Sequence, residues 1–205
     1  MKLHKSRFWA PLTRILQVRV LAVALMLADS LSEEEKQSAL DQWERVSFRI
    51  YGLFRKDSRS KVGDYIRLAF RIIQKAEGIS NHQAIMEQLR SLGSDYPADA
   101  AVEEFLKEPR YDGYEEELRY ILWRYEEYLA AKQEAKVNEE LRASIWSVRS
   151  ASETIEHIFP QNQKLGGPWA KKLKKYERQE NHVDRLGNLL LMPPGLNSEA
   201  GNKGF

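Results

Sequence analysis

Apolar residues recur every three to four positions along most of the first 135 residues, which is the spacing of one face of an α-helix. The pattern predicts helices that begin near residues 12, 32, 62, 80, 97 and 114. Ser32 and Glu35 form a capping box at the start of the second helix, and Ser80 is expected to cap the fourth. The stripes expected to face the core are Leu12, Ile15, Leu16, Val20, Val23 and Leu27 in the first helix, and Val62, Tyr65, Ile66, Ala69, Phe70 and Ile73 in the third. We therefore expect a mostly α protein whose residues 1–145 form a helical bundle.

The segment from residue 15 to residue 28 is the most apolar stretch of the chain. It is too short to span a bilayer, and Gln17 and Arg19 interrupt it. Basic residues precede it, as in a signal peptide, but Asp29 and a run of glutamates follow where a small-residue cleavage site would lie. The segment is predicted to be a buried helix, with a signal peptide as the alternative.

Composition limits the kinds of site that the chain can build. The net charge of the 205 residues is only +2, which excludes a uniformly basic surface for nucleic acid but not a local basic patch. Because there is no cysteine, disulfides and thiolate metal sites are excluded, and His, Asp, Glu and Asn remain as metal ligands. The absence of cysteine also fits the reducing cytoplasm, where we expect the protein to act.

The pattern changes after about residue 145. β-branched and aromatic residues at 154–159 predict a strand that Pro160 stops, and residues 186–192 predict a second strand. Between them, Pro168 is suited to the first position of a short helical insert. A last short helix is expected to start around Asn197, so the predicted order is strand, helical insert, strand, helix.

Four polar residues mark these elements: Glu156 and His157 on the first strand, Asn188 on the second, and Asn197 at the last helix. Hydrolysis of a phosphodiester requires a base for the attacking water and a cation for the developing charge. His157 suits the base, because an imidazole exchanges protons near neutral pH. The Glu156 carboxylate and the Asn197 carbonyl are oxygen ligands suited to Mg²⁺ or Mn²⁺, and Mg²⁺ keeps several of its own waters.

Asn188 is expected to hydrogen-bond the His157 ring and so to fix the ring tautomer. Neighbouring residues on a regular strand face opposite ways, so Glu156 and His157 can serve one site only if the strand is bulged or ends there. The nearby Pro160 favours an irregular strand end.

Several segments resemble the C-terminal HNH-like domain of GmrSD-type, modification-dependent restriction endonucleases. They are Ile155-Glu-His-Ile-Phe-Pro-Gln161, Leu186-Gly-Asn-Leu-Leu-Leu191, Leu196-Asn197 and Asn202-Lys-Gly-Phe205. The resemblance covers residues 152–205, with a looser likeness in the helical part. It implies that residues 146–205 form a small ββα-metal module of the HNH or His-Me finger class, in which the last ligand follows the second-strand asparagine as Asn197 follows Asn188.

The predicted insert and its surroundings carry basic side chains: Lys171, Lys172, Lys174, Lys175, Arg178, Arg185 and Lys203. By itself, such a run is typical of a solvated helix face. Beside a nuclease-type motif we expect it to contact DNA phosphates, which gives salt-sensitive affinity that does not depend on base sequence.

This chain also departs from the family that it resembles. Larger members carry an N-terminal nucleotide-dependent domain of ParB-like type, and no Gly-rich phosphate loop stands in this sequence. The resemblance therefore implies the C-terminal portion of such a protein, a split subunit or a truncated relative, with a protein partner that carries the ParB-like domain. The last helix is also expected to be truncated, and Gly201 and Gly204 each weaken it by roughly 1 kcal/mol relative to Ala.

We expect a metal-dependent HNH-type DNA endonuclease of a restriction or antiviral defence system, acting on DNA that is either modified or unmodified, with no membrane association. The alternative is a catalytically incomplete module that binds DNA or docks the nucleotide-dependent partner. RNA cleavage is a third, weaker hypothesis, because the sequence offers no aromatic platform for reading RNA.

Overall fold

Helices dominate the part of the chain that the structure describes, as the apolar periodicity predicts. The structure is a computed structural model, and it describes residues 14–79, 81–134, 138–159, 161 and 182–196. Its helices are α1 (Leu16–Met26), α2 (Glu33–Phe48), a π-helical turn (Arg49–Leu53), α3 (Val62–Ile73), α4 (His82–Leu92), α5 (Ala98–Lys107), α6 (Glu115–Lys132) and α7 (Glu139–Ser147). They are followed by a 3₁₀ turn (Ala151–Thr154), β1 (Ile155–His157), a second 3₁₀ turn (Leu186–Asn188) and β2 (Leu189–Leu191).

The chain divides into two compact units, Met1–Val102 and Glu103–Phe205, and the division falls within α5. The module predicted for residues 146–205 lies inside the second unit, and its extent stays a prediction. Within the described residues, no helix combines the length and the apolarity that a membrane crossing requires.

In the first unit, α1 packs against α2 and α3, while α4 packs against α2 and α3. The predicted capping box at the start of α2 is confirmed. The Glu35 N–H donates to Ser32 Oγ at 3.2 Å, and the Ser32 N–H donates to the Glu35 carboxylate at 2.8 Å. At α4 the cap comes from Asn81, whose side chain accepts from the Ala84 N–H at 2.9 Å, and Ser80 lies outside the described residues.

Most of the apolar residues predicted to face the core on α1 and α3 point to solvent instead, so this prediction was wrong. The exposed side chains are Leu16, Val20, Val23 and Leu27 on α1, and Val62, Ile66, Phe70 and Ile73 on α3. The buried ones are Gln17, Val18, Leu21, Ala24 and Leu25 on α1, and Tyr65, Leu68, Ala69 and Ile72 on α3. The predicted buried helix is therefore buried along one face only. Leu12 lies outside the described residues.

The physical reason is that α1 is apolar around most of its circumference, so apolar spacing alone cannot select the buried face. The buried face of α1 also includes a polar contact. The Gln17 amide, taken from the sequence as an interruption, is buried and donates to the Tyr51 hydroxyl at 3.2 Å. The Tyr51 hydroxyl in turn donates to the Ser60 carbonyl at 2.7 Å. A buried amide with partners of this kind avoids the cost of an unsatisfied polar group.

In the second unit, β1 and β2 form an antiparallel pair in which Ile155 lies opposite Leu191 and His157 lies opposite Leu189. α6 packs against β2 and against the 3₁₀ turn that leads into β1. Both strands are shorter than the predicted 154–159 and 186–192, and 3₁₀ turns directly precede them at Ala151–Thr154 and Leu186–Asn188. Backbone bonds between the two segments continue past the strands, from the Ile158 N–H to the Asn188 carbonyl and from the Met192 N–H to the Thr154 carbonyl, both at 2.9 Å.

Two further differences concern the ends of these elements. Asn188, predicted on the second strand, closes the 3₁₀ turn directly before β2. Helix α7 was not predicted, although Asn138 caps it by accepting from the backbone N–H of Glu140 at 2.7 Å. The backbone is helical at residues 194–196, and the predicted helix around Asn197, like the predicted insert, lies outside the described residues.

Candidate active site

His157 is the last residue of β1, and its ring is held on two sides. The ring nitrogen Nε2 lies 3.0 Å from Oδ1 of the Asp184 carboxylate. The Tyr111 ring meets the imidazole edge-on, with 4.5 Å between ring centroids and 67° between the planes. His157 is only 7% exposed, so these contacts fix a ring that has little room to turn.

Asp184 is itself fixed by contacts from two other segments. The Gln161 side-chain amide donates to the same carboxylate oxygen at 2.9 Å. The backbone carbonyl of Asp184 accepts from the N–H groups of Arg110 at 2.8 Å and Tyr111 at 3.2 Å. Asp184 is therefore bonded through its backbone to the segment before α6 and through its carboxylate to the segment after β1.

Asn188 joins the exit of β1 to the entry of β2. Its Oδ1 accepts from the Phe159 N–H at 2.9 Å, while its Nδ2 donates to the Phe159 carbonyl at 3.0 Å and to the Val183 carbonyl at 2.7 Å. Its backbone carbonyl also accepts from the Ile158 N–H at 2.9 Å. We call this set of bonds the Asn188 brace.

Among the described residues, the bonds of the Asn188 side chain do not include the expected hydrogen bond to the His157 ring. The hydrogen bonds of the Asn188 amide go to backbone groups at Phe159 and Val183, whereas the ring nitrogen Nε2 meets Asp184. One planar side-chain amide can accept from a backbone N–H and donate to a backbone C=O of the same residue, which explains why the Asn188 side chain lies against the backbone. Asn188 therefore positions the segment that follows His157, and Asp184 contacts the ring.

Glu156 lies between the buried residues Ile155 and His157 and is half-buried, so the alternation expected of a strand is present. The strand ends at His157, which is one of the two conditions under which both side chains can serve one site. Burial raises the pKa of the Glu156 carboxyl, and a hydrogen bond from the His157 backbone opposes that rise. The carboxylate is thus partly desolvated.

Tyr111 reports on the charges around the imidazole. Its pKa is raised first by burial and then by the nearby carboxylates, which include Asp184 and Glu156. Both carboxylates therefore lie within electrostatic range of the ring that touches His157. The site combines negative potential with one imidazole, a combination that attracts cations.

Among the described residues, no three His, Asp or Glu side chains form a group that could hold a metal ion by themselves. A partly desolvated carboxylate such as Glu156 does fit a cation, because the cation would compensate the charge that burial penalises. A set of one carboxylate, one amide oxygen and several waters suits Mg²⁺ better than metals that require a full set of protein ligands. Asn197, the second predicted ligand, lies outside the described residues.

A cavity of about 310 Å³ lies beside the Asn188 brace. It is lined by Leu106, Phe159, His182, Val183, Arg185, Gly187 and Asn188. Arg185 is the one predicted DNA-contacting residue within the described part of the chain, and it lines this cavity next to the brace. The other predicted DNA-contacting residues, Lys171, Lys172, Lys174, Lys175, Arg178 and Lys203, lie outside the described residues.

Sequence reasoning missed Tyr111 and Asp184 as neighbours of His157. Tyr111 stands in a short loop between two helices, where no spacing relates it to a histidine more than forty positions later. Asp184 stands four residues before Asn188, and this closeness to a motif asparagine was the available signal. Gln161 was noted only as part of a motif and not for the bond that it donates to Asp184.

Residues 96–205 match the model of the family described as GmrSD restriction endonucleases, C-terminal domain. The matched range takes in α6, both strands and all residues around His157, and it indicates a restriction endonuclease domain. The match covers more than half of the 205 residues, and the chain belongs to this family. No curated protein and no solved structure was found to match.

Proposed function

We propose that this protein is a metal-dependent DNA endonuclease of the HNH type in which His157 is the general base. The observation that carries the proposal is the meeting of two distant segments. The imidazole at the end of β1 contacts Asp184, and the backbone that follows it is tied to Asn188. Family membership supports the reaction class, because restriction endonucleases hydrolyse phosphodiesters in DNA.

In the proposed reaction, His157 accepts a proton from the water that attacks the phosphorus. Such a positioned base contributes about 10²–10⁴-fold to the rate. The Asn188 brace keeps the end of β1 in place, so that the imidazole does not have to be ordered during the reaction. Glu156 and Asn197 are the proposed ligands of the metal.

A bound divalent ion, Mg²⁺ or Mn²⁺, supplies Lewis-acid stabilisation of the charge that develops on the phosphate. The partly desolvated carboxylate of Glu156 favours this role, because a cation beside it would offset the burial that raises its pKa. Arg185 and the basic residues of the 171–178 segment, together with Lys203, are proposed to hold the DNA backbone. We also propose that the protein acts within a restriction or defence system, on DNA that is either modified or unmodified. A partner that carries a nucleotide-dependent domain is part of the same proposal.

The test is a plasmid-nicking assay with Mg²⁺, with Mn²⁺ and with EDTA. His157→Gln is the informative variant, because its amide can still donate to Asp184 while it cannot act as a base. We expect wild-type nicking with either metal, none with EDTA, and a loss of about 10²–10⁴-fold in His157→Gln. His82→Gln, a matched substitution at the start of α4, is expected to cut like the wild type.

Salt-dependent DNA binding, measured on the same samples, separates the two function classes. Binding by His157→Gln at wild-type affinity shows that the variant is folded and that its defect is chemical. Metal-dependent nicking that persists in His157→Gln would remove His157 from the mechanism. Binding without nicking by the wild type, under every metal condition, would favour the incomplete DNA-binding module.

A further inference from the structure

Asp184 makes a contact with the proposed base that the family resemblance did not suggest. Its Oδ1 lies 3.0 Å from His157 Nε2, and the histidine side chain is only 8% exposed. The Asp184 side chain is 31% exposed, so the carboxylate bridges between the buried ring and solvent. A carboxylate at this distance from an imidazole nitrogen decides which ring nitrogen carries the proton.

We propose that Asp184 is a positioning residue that holds His157 as the Nε2–H tautomer and leaves Nδ1 as the atom that accepts a proton from water. An ionised carboxylate can only accept hydrogen bonds, so the nitrogen that faces it carries the hydrogen. A neutral imidazole has one such hydrogen, which leaves a lone pair on the other nitrogen. This inference rests on the proposed function of His157.

The surroundings of Asp184 suit this role, because its carboxylate is not free to rotate away. Gln161 donates to the oxygen that also faces His157, at 2.9 Å. The N–H groups of Arg110 and Tyr111 hold the Asp184 backbone carbonyl. Tyr111 also touches the imidazole ring itself. The segment at Arg110 and Tyr111 therefore holds the backbone of Asp184 and the face of the ring, while Gln161 holds the carboxylate.

A purely structural ion pair between Asp184 and His157 is the alternative explanation of the contact. It predicts that loss of Asp184 lowers the stability of the fold but leaves kcat of the folded fraction unchanged. The positioning role predicts a fall in kcat without a change in KM for DNA, because DNA binding does not depend on the ring tautomer. The tautomer itself can be observed by NMR and gives a readout that stability does not affect.

The experiment compares wild type, Asp184→Asn and Asp112→Asn in the full chain. Asp112 is an exposed aspartate next to Tyr111, so its variant removes a nearby charge without touching the His157 ring. Proteins with ¹⁵N-labelled histidine give the tautomer of each of the four histidines, and the His157 signal is assigned from its absence in His157→Gln. Plasmid nicking with Mg²⁺ gives kcat and KM.

We expect wild type and Asp112→Asn to show a protonated Nε2 and an unprotonated Nδ1 at His157. In Asp184→Asn this pattern should be lost or mixed, and kcat should fall between about 10-fold and 10⁴-fold at unchanged KM. A protonated Nδ1 in the wild type, or an unchanged kcat in Asp184→Asn, would overturn the inference. A wild type with the Nε2–H tautomer but no nicking would overturn the proposed function and leave the contact purely structural.

Gln161→Leu keeps the proposal testable if Asp184→Asn does not fold. Gln161 is exposed, and its substitution removes one hydrogen bond to the carboxylate while Asp184 stays. We expect kcat to fall about 2- to 10-fold, which corresponds to the net free energy of one hydrogen bond. The Nε2–H signal of His157 should be partly lost. If both kcat and the His157 tautomer are unchanged in Gln161→Leu, this would count against the proposal that Asp184 positions the ring.

Discussion

Asn188→Ala is the substitution that most directly tests how the site is held together. It removes three side-chain hydrogen bonds, of 2.9, 3.0 and 2.7 Å, between Asn188 and the backbone of Phe159 and Val183. Each such bond contributes roughly 0.5–1.5 kcal/mol net, so three of them suggest a total near 3 kcal/mol. Because the Asn188 side chain is only partly buried and water replaces some of the lost hydrogen bonds, we expect the substitution to lower local stability by about 2 to 3 kcal/mol.

The Ile158 amide is the probe for this loss, since its N–H donates to the Asn188 backbone carbonyl, which the substitution leaves in place. Native-state hydrogen exchange measures the free energy of opening at that amide. A loss of 2 to 3 kcal/mol corresponds to exchange that is roughly 30- to 150-fold faster, because about 1.4 kcal/mol is a factor of ten. The Phe159 amide should lose protection as well, since its acceptor is removed.

Asn138→Ala is the matched control. The Asn138 side-chain oxygen caps α7 by accepting from the backbone N–H groups of Glu140 and Leu141, and its loss is expected to cost about 1 kcal/mol in that helix alone. Exchange at Ile158 should then match the wild type. Exchange at Ile158 within about threefold of wild type in Asn188→Ala would refute the idea that the brace holds the end of β1.

Three further predictions concern stability. Ile72→Ala should lower the free energy of unfolding in urea by about 2–5 kcal/mol, whereas Ile66→Ala on the same helix should lower it by about 1 kcal/mol or less. The reason is that Ile72 is 4% exposed and Ile66 is 38% exposed. Similar losses in the two variants would contradict the assignment of the buried face of α3. Ser32→Ala should lower the free energy of unfolding by about 1 kcal/mol, because the helix loses its cap, and the control Ser30→Ala should leave it nearly unchanged. Equal losses in the two variants would mean that the capping box contributes nothing to stability. Because burial raises the pKa of Glu156 above 4.5, its contribution to folding is present below that value and is lost as the pH rises through the raised pKa. Without metal, the stability of Glu156→Gln relative to wild type, measured by thermal unfolding, should therefore rise as the pH increases from about 4 to about 8. A stability difference between the two proteins that does not change with pH would exclude a desolvated carboxylate.

The helices were predictable because their signals are local. The Ser32–Glu35 box predicts the start of α2 within one residue, and the observed pair of bonds is the one that the sequence implies. The buried face of α1 was not predictable, because apolar side chains occupy both faces and the contact of Gln17 with Tyr51 joins residues 34 positions apart in the sequence. Local signals fix where a helix lies along the chain, and packing partners fix how it is rotated.

The site was predictable only in part, for a similar reason. Glu156, His157 and Asn188 stand in motif segments, and the structure brings the segments of His157 and Asn188 together. The bonds that hold His157 involve Asp184 and the backbone before α6, groups that no periodicity or spacing relates to one another. Which polar side chain meets the imidazole is decided by chain topology, which a motif does not encode.

The bonds between Asn188 and the chain at Ile158 and Phe159 fasten together the two ends of the segment that separates the strands. When the two ends of a flexible connecting segment are held together, the entropic penalty of lengthening the segment is small, about 0.6 kcal/mol for each doubling. The length and charge of the residues between 161 and 182 can then vary in evolution while the residues at both ends stay in register. A protein engineer could use the same junction to graft a foreign DNA-reading element between residues 161 and 182, with His157 and Asp184 left in place.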